Sequence, residues 1–226
     1  MSRAGVVTGY RAEAECLVDD RALAGVLRSG ANASRARNAA ERLLGEGAQG
    51  LISFGLSGGL APDLRPGDLL LPKAVILPDG RRLAADAAWR GRLATILERA
   101  GFSASEAPIA GSDRLLATIE AKRALFEKTG AVAVDMESHA VADVAMQAGM
   151  PFVVVRSIAD PSNQAIPRAA HGAIDANGEI RRLAVLRGLM ISPWQIGALI
   201  SLGRSSARGL ATLRRVAVLA PGLGFV

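Results

Sequence analysis

The chain has 226 residues, half of them hydrophobic and 21% charged, which suits one folded domain with a sizeable core and excludes a disordered chain. A net charge of +6 leaves nucleic acid, anionic lipid and phosphate-bearing substrates open, but aromatics are only 4% and do not alternate with basic residues. A base-stacking platform is therefore excluded, and no nucleic-acid partner is expected. Cys16 is the sole cysteine, so an internal disulfide and a cysteine-rich zinc site are ruled out, and an inert thiol is expected.

From the N-terminus, Gly5–Gly9 reads as a first strand closing on a glycine turn. No leader pattern precedes it and no apolar run reaches the roughly 18 residues of a spanning helix, so a cytoplasmic protein is expected. Tyr10 to Glu15 opens a helix whose Glu13 and Glu15 suit the positive end of a helix dipole. Leu27–Gly30 ends a second strand, and Ala31–Ser34 leads into a helix bearing Arg35, Arg37 and Arg42. Backbone amides at such a helix start bind anions, and Arg35 either adds charge there or is solvated. Gly50–Leu60 reads as a core strand followed by a glycine-rich loop containing Gly55, Ser57, Gly58 and Gly59, where a ligand can approach the main chain. Lys73–Gly91 is short, and Ile109–Leu116 carries Arg114 and Leu115.

Ala131–Asp160 reads as strand, helix, strand. Ala131–Val134 is short and apolar, Met136–Met150 has helical spacing and closes at Gly149, and Phe152–Val155 suits a strand buried on both faces. Asp135 and Glu137 follow the first strand, and Arg156 and Asp160 the second. Ligands of open α/β sheets bind outside the carboxyl ends of strands, so these residues mark a crevice. His139 and His171 have no third ligand at metal spacing, so His139 is read as a neutral structural histidine and no metal is expected. Pro161–Gly178 is polar and turn-rich and is expected to form a loop beside the crevice. From Ile180 onward there are seven arginines and no acidic residue. Ser192–Gln195 has a capping-box pattern with proline at the first helical position. The apolar, basic helix that follows suits either a membrane surface or packing on protein.

Asp135-Met136-Glu137, Val155–Asp160 and Gly50–Leu60 together resemble motifs of the purine nucleoside phosphorylase and methylthioadenosine/S-adenosylhomocysteine nucleosidase superfamily, over roughly residues 4 to 190. The resemblance implies a single α/β domain with a mixed sheet over residues 1–190, followed by the helical tail at 191–226. It implies cleavage of the N-glycosidic bond of a purine nucleoside. Asp160 would protonate the base at N7, with Arg156 steering it or an anion. Glu137 would hold the ribose hydroxyls and Met136 the sugar face, while Gly55, Ser57 and Leu115 would line the substrate. Glu13 aligns with the residue that activates water in the nucleosidases. Gly9, Arg11 and Gly30 would hold phosphate in a phosphorylase, the expected co-substrate, with no other cofactor. Leu56 departs from the family's Ser or Thr. The shortened 73–91 segment, the Asp-Met-Glu-Ser-His variant and the basic tail resemble the hopanoid-associated phosphorylases. That branch implies adenosylhopane as substrate, adenine as product and a peripheral membrane contact. A methylthioadenosine-type hydrolase and a non-catalytic nucleoside binder are the alternatives. A homo-oligomer is expected.

Overall fold

The computed structural model describes residues 3–17, 22–170, 179 and 192–224. The sheet is built around two long strands, β3 (Leu51–Gly59) and β10 (Phe152–Asp160), which run parallel side by side. β10 is buried along its whole length, as its unbroken apolar start requires, and continues past Val155 to Asp160. The glycine-rich segment expected as a loop after a strand is itself strand, because β10 pairs with it as far as Gly58.

The free edge of β3 changes partner midway. At its start, β1 (Gly5–Thr8) pairs in parallel with Leu51–Ser53, and β2 (Gly25–Arg28) flanks β1. At its end, β9 (Ala133–Asp135) pairs antiparallel with Gly58 and Gly59. Beyond β9 lie β8 (Ile109–Gly111), β5 (Ala74–Ile76) and β6 (Arg82–Ala84). On the far side of β10 lie β4 (Leu69–Leu70) and β7 (Ala104–Ser105). The C-terminal ends of β1 and β9 thus converge on one stretch of β3, Phe54 to Ser57, that neither of them covers. This fork is the crevice.

Among the described residues six helices cover the two faces. α1 (Arg11–Ala14) follows β1, and α2 (Ala33–Gly45), α3 (Ala87–Arg99) and α4 (Ile119–Thr129) start on side-chain caps from Asn32, Asp86 and Thr118. α5 (Ser138–Gln147) is shorter at both ends than the apolar spacing predicts, and α6 (Ile196–Leu219) is the last. Alternate strand residues sort the two layers. Val7, Leu51 and Val154 pack with Ala36, Ala40 and Leu43 of α2 and Val141 of α5. Val6, Ile52, Phe54 and Val153 pack with Trp89 and Leu93 of α3 and Leu213 and Val216 of α6.

The tail is therefore not uniform. Its second half is core: Leu213 and Val216 are fully buried, Thr212 donates to Gly67 O at 2.8 Å, and Arg215 lies 4.4 Å over the Phe102 ring. Its first part is exposed, with Trp194 at 75%, Ile196 at 56% and Ile200 at 49%. The capping box does not form: Ser192 makes no side-chain cap bond, and Pro193–Gln195 is a 3₁₀ turn leading into α6. Among the described residues no helix is long and apolar enough to cross a membrane. Loop residues 161–170 are described, whereas 171–178, including His171, lie outside the described residues.

Candidate active site

Glu13 projects from α1 into the fork and is 1% exposed. Its Oε2 accepts from the amides of Gly9 and Tyr10, both at 2.8 Å, and its Oε1 accepts from the Leu56 amide at 2.7 Å. Leu56 N–H lies on the edge of β3 that neither β1 nor β9 covers, so the carboxylate stands where a neighbouring strand's carbonyl would be. Leu56 presents backbone to the site. Its side chain turns the other way, toward Gly209 of α6, where an added Cβ would meet Leu56 Cδ2 at 2.6 Å. Position 56 thus offers no hydroxyl to the site.

Glu137 enters from the N-terminus of α5, and Arg156 from β10. The Arg156 guanidinium is fully buried; its Nε meets Asp135 Oδ2 at 2.6 Å and its Nη2 meets Glu137 Oε2 at 3.2 Å. Nη2 also donates to Ser53 Oγ at 2.6 Å, and Ser138 bonds Asp135 and Arg156. Burial opposes the Arg156 charge, but Asp135, Glu137 and Glu13 more than offset it and raise its pKa. Arg156 was expected to steer Asp160 or an anion; it pairs with the carboxylates of Asp135 and Glu137 and not with Asp160. Gly9 and Gly55 make room for these groups. A Cβ at Gly9 would stand 2.8 Å from Glu137 Oε1 and 3.3 Å from Glu13 Oε2, so both carboxylates face one space.

Asp160, at the end of β10, is paired with a residue the sequence reading missed. Lys122 of α4 is fully buried, and its Nζ lies 2.5 Å from Asp160 Oδ2. A lone lysine among Glu120, Arg123, Glu127 and Lys128 reads as part of a solvated face, so nothing in the spacing marks it. Burial raises the pKa of the Asp160 carboxyl, and Lys122 opposes that rise. Burial likewise raises Glu13, countered by Arg156 and the three amides. Glu137 is pushed up to about 8, by burial first and then by Asp135 and Glu13, against Arg156. The Tyr10 phenol is pushed far up by burial and by Glu137, Glu13 and Asp160, so it stays protonated beside them.

The remaining expected residues are less uniformly placed. Met136 is half-buried next to Glu137, and Ser57 is buried with its hydroxyl unbonded. Leu115 is 45% exposed. Gly30 takes a φ of 61° in the turn before α2, and Arg35 bonds the carbonyls of Ser29 and Gly30. Arg11, expected to hold phosphate, points away to solvent, where it pairs with Glu15 at 2.8 Å and Glu179 at 2.9 Å. In a helix the carboxylate four residues on is its nearest partner. His139 is buried and its Nε2 meets Asp113 at 3.1 Å. The Cys16 thiol, half-buried and bonded to Ala12 O, is pushed up by burial. Among the described residues no cluster of side chains could hold a metal ion.

These residues give a chemically coherent set: buried carboxylates of raised pKa that can exchange protons, held over a cleft by amides and one guanidinium. Known proteins carry a similar fold. A 5′-methylthioadenosine/S-adenosylhomocysteine nucleosidase of Marinomonas sp. (strain MWYL1) is 30% identical over 139 residues, 53% of this chain and 59% of that protein. The chain thus spans less than two thirds of that relative's length. Two Helicobacter pylori structures share the fold. One is a 5′-methylthioadenosine/S-adenosylhomocysteine nucleosidase with butyl-thio-DADMe-Immucillin-A, with a TM-score of 0.70, 18% identity, and coverage of 96% of this chain and 98% of that one. The other is the native futalosine hydrolase, with a TM-score of 0.69, 18% identity, and coverage of 96% and 97%. The sequence profile of the Phosphorylase superfamily matches residues 22–189, and this chain belongs to that superfamily.

Proposed function

We propose that the protein cleaves the N-glycosidic bond of a 5′-substituted adenosine and releases adenine, with water as the nucleophile. The observation that carries the reading is the setting of Glu13. Three amides fix it beside Glu137, over the space above Gly9. A phosphate dianion there would face two carboxylates. Of the nearby described cations, Arg156 and Lys122 are committed to carboxylates, Arg35 to the carbonyls of Ser29 and Gly30, and Arg11 is turned away. The relatives named above, a nucleosidase and a hydrolase, support the same reading.

In this mechanism Asp160 gives its proton to N7 as the C1′–N9 electron pair passes to the base. Glu137 accepts hydrogen bonds from the ribose hydroxyls and fixes the sugar for the oxocarbenium-like transition state. Glu13 takes a proton from water as the oxygen bonds to C1′. The products are adenine and a free sugar, with Asp160 ionised and Glu13 protonated; proton exchange with solvent restores both.

Phosphorolysis is the second reading. It is favoured by the turn ahead of α2, where Gly30 and Ala31 have φ of 61° and 53° and the helix start lies just beyond. Backbone amides at a helix start bind anions. Adenine release from methylthioadenosine, with and without phosphate and in ¹⁸O-water, separates the two. Label in the sugar and no phosphate dependence is expected, with Glu13→Gln losing about 10²–10⁴-fold. A sugar 1-phosphate, formed only with phosphate, would overturn the water reading.

For the 5′ substituent we favour a lipid of the adenosylhopane type, because Leu115, Trp194, Ile196 and Ile200 are exposed. Peripheral contact with a bilayer through these residues belongs to the same reading. Adenosylhopane in vesicles should be turned over in preference to methylthioadenosine; the reverse preference refutes the lipid.

A further inference from the structure

We propose that Lys122 is a positioning residue that fixes the orientation and the acid strength of Asp160. The inference rests on the preceding reading, in which Asp160 protonates the leaving base. Lys122 Nζ donates to Asp160 Oδ2 at 2.5 Å, to Pro161 O at 2.8 Å and to Gln164 O at 2.9 Å. An ammonium has three N–H donors and all three are used; a neutral amine has two and cannot serve three acceptors. The site therefore selects the cation. The same three bonds tie α4 to the end of β10 and to the segment after it, so the carboxyl is held from both sides. Oδ2 is the oxygen taken, which leaves Oδ1 for the base.

The chemical consequence follows from burial. Asp160 is 7% exposed. A carboxyl buried without a cation keeps its proton too firmly to give it to a purine nitrogen. Beside Lys122 the proton can pass to N7. The C1′–N9 electron pair then moves onto the base, and the carboxylate left behind is balanced by the ammonium. Among the described residues, Lys122 from α4 and Tyr10 ahead of α1 are the titratable groups whose charge couples to Asp160. The Tyr10 phenol stays protonated, so Lys122 is the group that sets the acid.

The test is the pH profile of kcat/KM for adenine release by Lys122→Met, Lys122→Arg and Asp160→Asn. Loss of the cation raises the carboxyl pKa, so the acid form persists to higher pH. The alkaline limb of Lys122→Met should move up by about 1–3 pH units. Its plateau should fall at least about tenfold, part of the 10²–10⁴ that acid catalysis supplies. Lys122→Arg should keep the parental limb. If Lys122→Met does not fold, Lys122→Gln, which keeps donors without charge, makes the same forecast. An inactive Asp160→Asn together with an unmoved limb in the Lys122 variants overturns the role of Lys122 alone. Parental turnover by Asp160→Asn overturns the acid assignment and this inference with it.

Discussion

Gly55→Ala tests whether the fork is as tight as its chemistry requires. A Cβ at Gly55 would stand 2.5 Å from Arg156 Nη1, 2.6 Å from Glu13 Oε1 and 2.7 Å from Glu13 Cδ. Ordinary contact begins at 3.4 Å, so against 2.6 Å the carboxylate must give by about 0.8 Å. Glu13 is not a loose chain end: moving it breaks its bonds to Gly9, Tyr10 and Leu56. Arg156 is equally confined by Asp135 and Ser53. Overpacking of this kind costs about 1–3 kcal/mol, and each kcal/mol lowers the Tm of a chain this size by about 2–4 °C. A displacement near 1 Å at a reacting group costs on the order of 10² in rate. Thermal melts and single-turnover adenine release, on the same preparation, read both effects. The expected pattern is a modest fall in Tm and a fall in rate of about 10². A Gly55→Ala protein with parental Tm and parental rate would refute the claim that Glu13 and Arg156 occupy that space.

Glu137→Gln should uncouple stability from pH. Because the Glu137 pKa is raised to about 8 in the folded protein, its contribution is full below the ordinary carboxylate range and is lost as pH rises through about 8. The Tm of the parent should therefore fall between about pH 5 and 9, and the variant should fall less; equal slopes would contradict this. Ending the chain at Met190 should give insoluble protein, since Leu213, Val216, Ala217 and Ala220 would no longer cover the α3 side of the sheet. A soluble truncated chain with a cooperative melt would show that α6 is dispensable to the core.

The parts of the fold that the sequence made legible are those written in local pattern. The apolar runs at Gly5–Thr8 and Phe152–Val155 became parallel strands, and the spacing in 136–150 became α5. Of the residues expected at strand ends, Glu137 and Arg156 meet at the fork, and Asp160 stands buried at the end of β10. What stayed hidden depends on long-range contact. Lys122 is 38 residues from its carboxylate partner and looks solvated in its own helix. The resemblance had Arg156 steering Asp160 or an anion, yet the register of β10 shifts between Ile158 and Asp160, and Asp135 on β9 claims the guanidinium. Arg11 was assigned by its glycine neighbour, whereas its helix offered Glu15 one turn on. The second half of α6 carries Arg208, Arg214 and Arg215 against Arg204 alone in the exposed first half, so charge points away from burial and only tertiary packing shows which half is core. Leu56 looked like a lost hydroxyl because a sequence displays side chains, and here the backbone makes the contact.

That single contact gives the protein a built-in reporter. The Leu56 amide donates to Glu13 Oε1, while the Leu56 side chain lies against α6 at Gly209. Protonation of Glu13 weakens the acceptor, so the ¹⁵N–¹H resonance of Leu56 should track the ionisation of that carboxyl directly. Substitutions on α6 that press on Leu56 should move the same resonance without touching the nucleoside cleft. The midpoint of that signal in a pH titration reports the proton chemistry of Glu13, and a pH-independent offset reports packing against α6.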